Sequence, residues 1–338
     1  MMNDFTLDYL DYYNMLEQYQ RAQLFFAAVR LDIFSYLNEW TDAYGAALQS
    51  GYDENALKHC LLALSALGLI EKEGDAYRNT PAAKKYLTKE SPDYLGETLL
   101  FRESMTSLAD MDALVTGAKK GEAKYDFAKL AEVTVPEMYA TGRVSLFLSE
   151  MDRIFPNRNH STNILDLGGG SGVLAMEFAK QFPHSSAAVF EHPAVAPVSR
   201  KILREHGAPD RVRVVEGDFN TDAFGGPYDL IIASGILDFS TNGLPDFILK
   251  ISEALSKNGY LLLIGQFADD PGRSSRRTIS WLSGYLNGLP LPPSGEDVRR
   301  ALQNAGLSKL REVKAGRFHG QIYQKEEVRD GQFAKRSD

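Results

Sequence analysis

The sequence is poor in cysteine, histidine and tryptophan, with only 1, 6 and 2 of these residues among 338. A lone cysteine, Cys60, cannot form an internal disulfide. Nothing in the chain therefore requires an oxidising compartment, and we expect a cytoplasmic protein. The same shortage excludes thiolate zinc sites, and because the histidines are scattered we expect no metal.

Long apolar runs and an excess of basic residues are also lacking. The longest strongly apolar stretch, 61–70, is interrupted by Ser65 and Gly68 and is far shorter than the roughly 18 residues of a membrane span. The 37 Lys and Arg residues are outnumbered by 45 Asp and Glu, which gives a net charge of -8. Because nucleic-acid binding rests on clustered cations, we expect neither a nucleic-acid nor a membrane partner.

The first 37 residues carry aromatic and aliphatic side chains at helical spacing, on more than one face of the predicted helix. Such a helix must be buried on more than one side. Its partner is either a second copy of the chain or the rest of its own chain. We favour the second copy, which predicts a homodimer.

Two further helices and a small hairpin follow, near residues 42–49, 53–67 and 69–80. This is the order of a winged helix, a fold that either binds DNA or serves as a packing module. The second helix begins with Asp53 and Glu54 and has no basic stripe, which favours the packing module.

Beyond Pro156, short aliphatic or β-branched strands alternate with helices. Strands are predicted at 163–167, 187–191, 212–216, 230–234 and 260–266, and helices at 172–181, 194–205 and 244–256. This alternation predicts an α/β fold with a mostly parallel, Rossmann-like sheet covered on both faces. A last helix at 295–305 leads into two extended runs, which we expect to form an antiparallel hairpin on one sheet edge.

A glycine-rich turn joins the first of these strands to its helix and reads Asp166-Leu167-Gly168-Gly169-Gly170-Ser171-Gly172. Glycines there let the backbone turn sharply and approach a ligand at the carboxyl end of the sheet, where such folds bind ligands. No Gly-Lys-Ser/Thr follows, which excludes a P-loop. Val173 stands where a dinucleotide fingerprint has its third glycine or alanine. The acidic Asp166 suits a cationic ligand group.

The next two strands also end in residues that suit a ligand. Glu191 ends the second strand and can accept hydrogen bonds from a ribose diol. Asp218 and Phe219 follow the third strand and offer a carboxylate and an aromatic face to an adenine. The three signals at successive strand ends together predict a nucleoside site.

The glycine motif, Glu191-His192-Pro193, Gly217-Asp218-Phe219 and the closing hairpin together resemble the S-adenosylmethionine-dependent O-methyltransferases of the plant caffeate and hydroxyindole type and their bacterial relatives. The resemblance covers nearly the whole chain and implies a class I methyltransferase fold. It implies a winged-helix dimerisation domain over 1–100, a helical connector over 101–156 that contributes to the acceptor pocket, a cofactor-binding domain over 157–326 and a mobile tail over 327–338.

The resemblance also implies S-adenosylmethionine as cofactor. The implied cofactor-binding residues are Asp166, Gly168, Gly170 and Gly172 around the methionine part, Glu191 at the ribose, and Asp218 and Phe219 at the adenine.

The chain departs from the family at the catalytic base. Members that methylate phenols carry a histidine after the fourth strand, whereas this position is Leu237. Methyl transfer gains much of its rate from holding the reactants in line, and a general base adds about 10² to 10⁴. We therefore expect proximity to drive the reaction, with an acceptor that is already ionised or has a free lone pair. Asp238 and His192 are alternative bases, although both are more typical of structural loop positions.

Four residues are candidates for the wall of the acceptor pocket: Met138 and Phe147 on the central helices, and Trp281 and Tyr285 after the fifth strand. Such side chains at helical spacing are also typical of plain core. The resulting hypothesis is a homodimeric methyltransferase that acts on a small aromatic or enolic molecule, by family default at oxygen. The alternatives are a cofactor-binding relative that performs decarboxylation or hydroxylation, and a winged-helix regulator.

Overall fold

The computed structural model describes residues 7–122, 125–240, 243–265, 271–289, 293–315 and 318–326. The chain forms two compact units that divide between Glu103 and Ser104. The finer division at residues 100, 156 and 326 stays a prediction, and its last part, 327–338, lies outside the described residues. Within the described ranges, no helix combines the length and the apolar character needed to cross a membrane.

The first unit contains helices and a small three-stranded sheet. Its elements are α1 (Tyr9–Arg30), a 3-10 helix (Ile33–Tyr36), β1 (Thr41–Asp42), α2 (Ala43–Ser50), α3 (Glu54–Ala66), β2 (Ile70–Glu73), β3 (Ala76–Asn79), α4 (Pro81–Tyr86) and α5 (Gly96–Met105). Asp42 and Asp53 cap α2 and α3, because their carboxylates accept backbone N–H bonds from the first turn. The three strands pair antiparallel in the order β1-β3-β2, so two helices and a hairpin follow one another as predicted.

Helix α1 is buried only at its carboxyl-terminal end. Ala28 and Val29 join a core that includes Phe34 and Leu61. The large apolar side chains of the amino-terminal part are between 53% and 65% exposed: Leu7, Tyr9, Leu10, Tyr12, Tyr13, Met15, Leu16 and Tyr19. Helix α1 therefore leaves an extensive apolar surface uncovered by its own chain.

The second unit begins with four short or medium helices: α6 (Met111–Val115), α7 (Phe127–Val133), α8 (Val135–Ala140) and α9 (Arg143–Ile154). The strands are β4 (Asn163–Leu167), β5 (Ser186–Glu191), β6 (Val212–Glu216), β7 (Tyr228–Ser234), β8 (Leu255–Ile264), β9 (Leu307–Ala315) and β10 (Phe318–Lys325). The helices between them are α10 (Val173–Gln181), α11 (Ala196–Glu205), α12 (Leu244–Ala254), α13 (Pro271–Leu286) and α14 (Gly295–Asn304).

These strands form one sheet in the order β6-β5-β4-β7-β8-β10-β9. Strands β4 to β8 are parallel to one another, and β10 pairs antiparallel with both β8 and β9. Two apolar cores cover the two faces, and Ile164 belongs to one while Leu165 belongs to the other. The predicted fold class is therefore confirmed, including the antiparallel hairpin. The parallel topology brings the ends of β4, β5, β6 and β7 to one edge of the sheet.

Candidate cofactor and acceptor site

The glycine-rich turn runs from the end of β4 into α10. Gly168 has φ +63°, and a Cβ there would lie 2.5 Å from Cγ2 of Ile236, so only glycine fits without a shift. The Gly168 N–H donates to the Phe190 carbonyl at 2.8 Å, which fixes the turn to the end of β5. Gly170 and Gly172 also have positive φ and lie in the same turn. The turn thus presents bare backbone at the carboxyl edge of the sheet.

Asp166 lies beneath this turn and is only 2% exposed. A Cβ on Gly169 would lie 2.7 Å from the Asp166 carboxyl carbon, so the backbone passes directly over the carboxyl group. Burial raises the pKa of Asp166 to about 7, and repulsion from Glu191 adds to the rise. The charge of Arg143 and a hydrogen bond from the Ala175 N–H oppose it. A cation bound here would favour the ionised carboxylate.

Glu191 ends β5 and is held by two backbone donors. Its Oε2 accepts from the Gly170 N–H at 2.7 Å, and its Oε1 accepts from the His192 N–H at 2.8 Å. The residue is 7% exposed, and burial raises its pKa against the effect of these two hydrogen bonds. Each carboxylate oxygen has a second lone pair that can accept a ligand hydroxyl. The side chain is therefore fixed beside the glycine-rich turn.

Asp218 and Phe219 form a loop after β6. The Asp218 Oδ1 accepts from the Asn220 N–H at 2.8 Å, so part of this carboxylate stabilises its own loop. Lys250 of α12 donates to the Phe219 carbonyl at 3.0 Å, and burial lowers the pKa of this lysine. The Phe219 ring is half-buried and contacts Phe247 with ring centroids 5.6 Å apart. The loop lies at the same sheet edge as Asp166 and Glu191.

The positions proposed for a base differ in their surroundings. Leu237 begins a 3-10 helix (Leu237–Phe239) after β7 and is 8% exposed, within the core. Asp238 is half-buried in the same short helix. His192 is exposed, and its Nδ1 accepts from the Ala194 N–H at 3.2 Å, which gives it a part in the loop after β5. The roles of Asp238 and His192 as alternative bases stay predictions.

The four predicted pocket residues fall into two pairs. Trp281 and Tyr285 are half-buried on α13, with nearly parallel rings 6.5 Å apart. Phe147 is fully buried in the core, and its ring centroid lies 6.5 Å from that of Phe178, so its place in the pocket wall stays a prediction. Met138 is 8% exposed, and its sulfur accepts from the Ser171 hydroxyl at 3.7 Å beneath the glycine-rich turn. Helical spacing alone could not separate the buried pair, Met138 and Phe147, from the half-buried pair, Trp281 and Tyr285.

Sequence reasoning missed Arg143 at the start of α9. Its guanidinium donates to the Ser234 hydroxyl at 2.6 Å, at the end of β7, and acts electrostatically on Asp166. A half-buried cation at this edge can bind a ligand carboxylate. No local pattern marks it, since only the fold brings α9 to the end of β7.

Three aromatic residues were also missed: Tyr125, Phe127 and Phe239. Tyr125 and Phe127 stack with centroids 5.6 Å apart, and Phe127 meets Phe239 edge-on at 5.2 Å. Phe239 in turn contacts Trp281 at 6.3 Å. The dense aromatics of 125–127 were a usable signal, but their position beside α13 depends on tertiary structure.

Comparison with known proteins agrees with this geometry. An O-methyltransferase domain matches residues 149–286. The chain is 30% identical to the tetracenomycin polyketide synthesis 8-O-methyl transferase TcmO of Streptomyces glaucescens, over 84% of this chain and 87% of that protein. It is 28% identical to the N,N-dimethyltransferase OxyT of Streptomyces rimosus, over 86% and 88% of the two chains.

The fold resembles solved methyltransferases as well. The crystal structure of human N-acetylserotonin methyltransferase in complex with S-adenosylmethionine matches with a TM-score of 0.72 and 20% identity, over 95% of this chain and 99% of that one. Fold and glycine-rich site together define a class I methyltransferase. Within that class, the chain belongs to the O-methyltransferase family and is an S-adenosylmethionine-dependent enzyme.

The residues present fit this cofactor. Its amino-acid part carries an ammonium and a carboxylate, and the sheet edge offers the buried carboxyl of Asp166 and the guanidinium of Arg143. Its ribose diol suits the fixed carboxylate of Glu191. Among the described residues, no group of His, Cys, Asp and Glu is arranged to hold a metal ion.

Proposed function

We propose that this enzyme transfers a methyl group to an oxygen atom of a small aromatic or enolic acceptor. The observation that carries the proposal is the position of the half-exposed aromatic side chains on α7, α13 and the 3-10 helix after β7, next to the glycine-rich turn. Oxygen is the default of the family. The likeness to an N,N-dimethyltransferase keeps an amine acceptor as the second candidate.

In this proposal the predicted cofactor residues keep their roles. Asp166 and the backbone of Gly168, Gly170 and Gly172 hold the amino-acid part, and Arg143 binds its carboxylate. Glu191 binds the ribose, while Asp218 and Phe219 hold the adenine. The support is the burial of the two carboxyl groups and the shared sheet edge.

The bound cofactor supplies a methyl group activated by a positively charged sulfur. The chain's own contribution is to hold an acceptor atom in line with that group and to exclude water. Holding the two reactants in line can supply most of the acceleration. A buried Leu237 at the family's base position can neither accept nor orient a proton. An oxygen acceptor therefore loses its proton to solvent before methyl transfer and reacts as the anion, whereas a neutral amine can react through its free lone pair.

A pH profile tests this mechanism. Methyl transfer to a phenol, with a pKa of about 10 by analogy with tyrosine, should rise about tenfold per pH unit up to that pKa. A nitro-substituted phenol should show the same slope with its break at its own lower pKa. With S-adenosylmethionine saturating at every pH, so that the titration of Asp166 does not limit the rate, a break at one common pH for both acceptors would instead reveal a basic group of the enzyme, such as Asp238 or His192.

The second function to be tested is cofactor chemistry without methylation, such as decarboxylation or hydroxylation. Calorimetry with S-adenosylmethionine, followed by transfer of labelled methyl to a panel of phenols, enols and amines, separates the two. Binding with labelled product supports the methyltransferase. Binding without product across the panel favours the second function, and absence of binding overturns both. A winged-helix regulator is disfavoured by Asp53 and Glu54 at the start of α3.

We also propose that the enzyme is a cytoplasmic homodimer that binds neither nucleic acid nor membranes. The exposed apolar side chains of α1 support the dimer, because a stretch of this kind on a monomer is costly to leave in water. The net charge of -8 disfavours nucleic acid. The single cysteine, Cys60, suits a reducing compartment.

A further inference from the structure

Five aromatic side chains of the second unit form a continuous chain of ring contacts, here called the aromatic wall. Its members are Tyr125, Phe127, Phe239, Trp281 and Tyr285. Neighbouring ring centroids are 5.2 to 6.5 Å apart. Such offset and edge-on pairs are the preferred arrangements of aromatic rings.

The wall lies beside the proposed cofactor site. Phe127 begins α7, and Ala131 of the same helix lies 3.6 Å from the position that a Cβ on Gly170 would take. Phe239 ends the 3-10 helix whose preceding residue, Ile236, covers Gly168. The Phe239 carbonyl accepts from the Asn220 side chain at 3.3 Å, which links the wall to the Asp218 loop.

The wall differs from the aromatic clusters of the core. Phe178 and Phe182 stack at 4.4 Å and are fully buried. In contrast, Phe127 is 40% exposed, and the other four rings of the wall are half-buried. A contiguous apolar surface beside a polar site is typical of a ligand-binding groove.

Resting on the proposed function, we propose that the aromatic wall selects acceptors with two or more fused aromatic rings, and that Phe127 and Phe239 are specificity-determining residues. A single benzene ring spans about the distance between two neighbouring rings of the wall. A fused system reaches further rings, and each added aromatic contact contributes about 0.5–1.5 kcal/mol, or roughly 2- to 12-fold in affinity.

The two tryptophans allow a direct test, because Trp40 lies in the first unit and Trp281 lies in the wall. In the Trp40→Phe variant, emission comes from Trp281 alone. Phenol, 2-naphthol and 2-hydroxyanthraquinone are titrated in the presence of S-adenosylhomocysteine. We expect the dissociation constant to fall roughly 2- to 12-fold with each added ring. The Trp281→Phe variant, which retains Trp40, corrects for light absorbed by the ligands.

Acceptors with more rings are also more hydrophobic, and this alone could make them bind more tightly. Substitutions in the aromatic wall distinguish this effect from contact with the wall. Phe127→Leu and Phe239→Leu should each reduce the preference for 2-naphthol over phenol about threefold or more, with unchanged affinity for S-adenosylhomocysteine. Tyr44→Leu, at a tyrosine of the first unit that is 57% exposed, should keep the wild-type preference.

Two results overturn the inference. One is a wild-type protein that binds phenol and 2-naphthol equally. The other is a preference that persists in the Phe127→Leu/Phe239→Leu double variant. If the protein does not bind S-adenosylhomocysteine, the proposed function is wrong. Failure of the proposed function is therefore distinguishable from failure of the inference about the aromatic wall.

Discussion

At the scale of single residues, the fold strongly alters the chemistry of Asp166. Burial raises its pKa to about 7, so in the empty site it is partly protonated near neutral pH. The nearby charged groups are Glu191, which adds to the rise, and Arg143, which opposes it. In the proposed site, the ammonium of the cofactor favours the ionised form, and binding is then expected to release the proton that Asp166 holds.

Cofactor binding is therefore expected to depend on pH. Below about pH 7 the affinity for S-adenosylhomocysteine should increase up to tenfold per pH unit, and it should level off above that pH, because the bound pKa is lower than the free one. Calorimetry near pH 6.5 in phosphate and in imidazole buffer, which differ in their heats of ionisation, measures the protons released. 5′-Methylthioadenosine, which lacks the amino-acid part, should bind without proton release.

Asp166→Asn provides the matched variant. The asparagine side chain cannot ionise, so binding of S-adenosylhomocysteine to this variant should release no proton from this site. The affinity should weaken roughly 10- to 100-fold, as expected for a lost charge-assisted hydrogen bond. Equal proton release by wild type and variant would contradict the assignment of the proton to Asp166.

At the scale of elements, α9 is joined to the large sheet by ion pairs whose carboxylate is buried. Its Glu150 side chain is 5% exposed and lies 2.8 Å from Arg311 of β9 and 2.7 Å from Arg153. The same helix begins with Arg143. The pair therefore ties the helix that carries Arg143 to the edge strand of the sheet.

Removal of this carboxylate should destabilise the second unit. Glu150→Gln leaves Arg311 with an uncompensated charge, and we expect a loss of about 1–3 kcal/mol, less than for a fully buried pair because both arginines are partly exposed. Urea unfolding followed by circular dichroism measures the change. Glu296→Gln, in the exposed pair with Arg300, should change stability by less than about 0.5 kcal/mol. Equal effects of the two substitutions would contradict the role of burial.

The elements were largely predictable, whereas their contacts were not. The strands at Asn163–Leu167 and Val212–Glu216 coincide with the predicted ranges, because runs of apolar residues bounded by turns are local signals. Phe147 and Trp281 have equally plausible helical positions, yet one is in the core and the other is half-exposed. That difference arises from which helix face meets the sheet, and so the aromatic wall and Arg143 could be found only in the folded chain.

At the scale of the whole molecule, the uncovered surface of α1 predicts the oligomeric state. Leu10 and Leu16 are 54% and 53% exposed, so single charged substitutions there should leave the folded monomer intact and disrupt a dimer contact. In sedimentation velocity, Leu10→Glu and Leu16→Glu are expected to sediment as monomers. Leu249→Glu, on α12 and 47% exposed, should retain the wild-type dimer. A wild-type monomer, or variants that remain dimeric, would contradict this assignment.

The order of the large sheet also bears on aggregation. Its two outer strands are β6 and β9, and an unpaired strand edge can recruit further chains. Arg213 and Glu216 are exposed on one of these strands, and Lys309 and Lys314 on the other. Pairing of two strand edges from different molecules would remove water from these charged side chains. These charged side chains are therefore expected to oppose growth into fibres through either edge of the sheet.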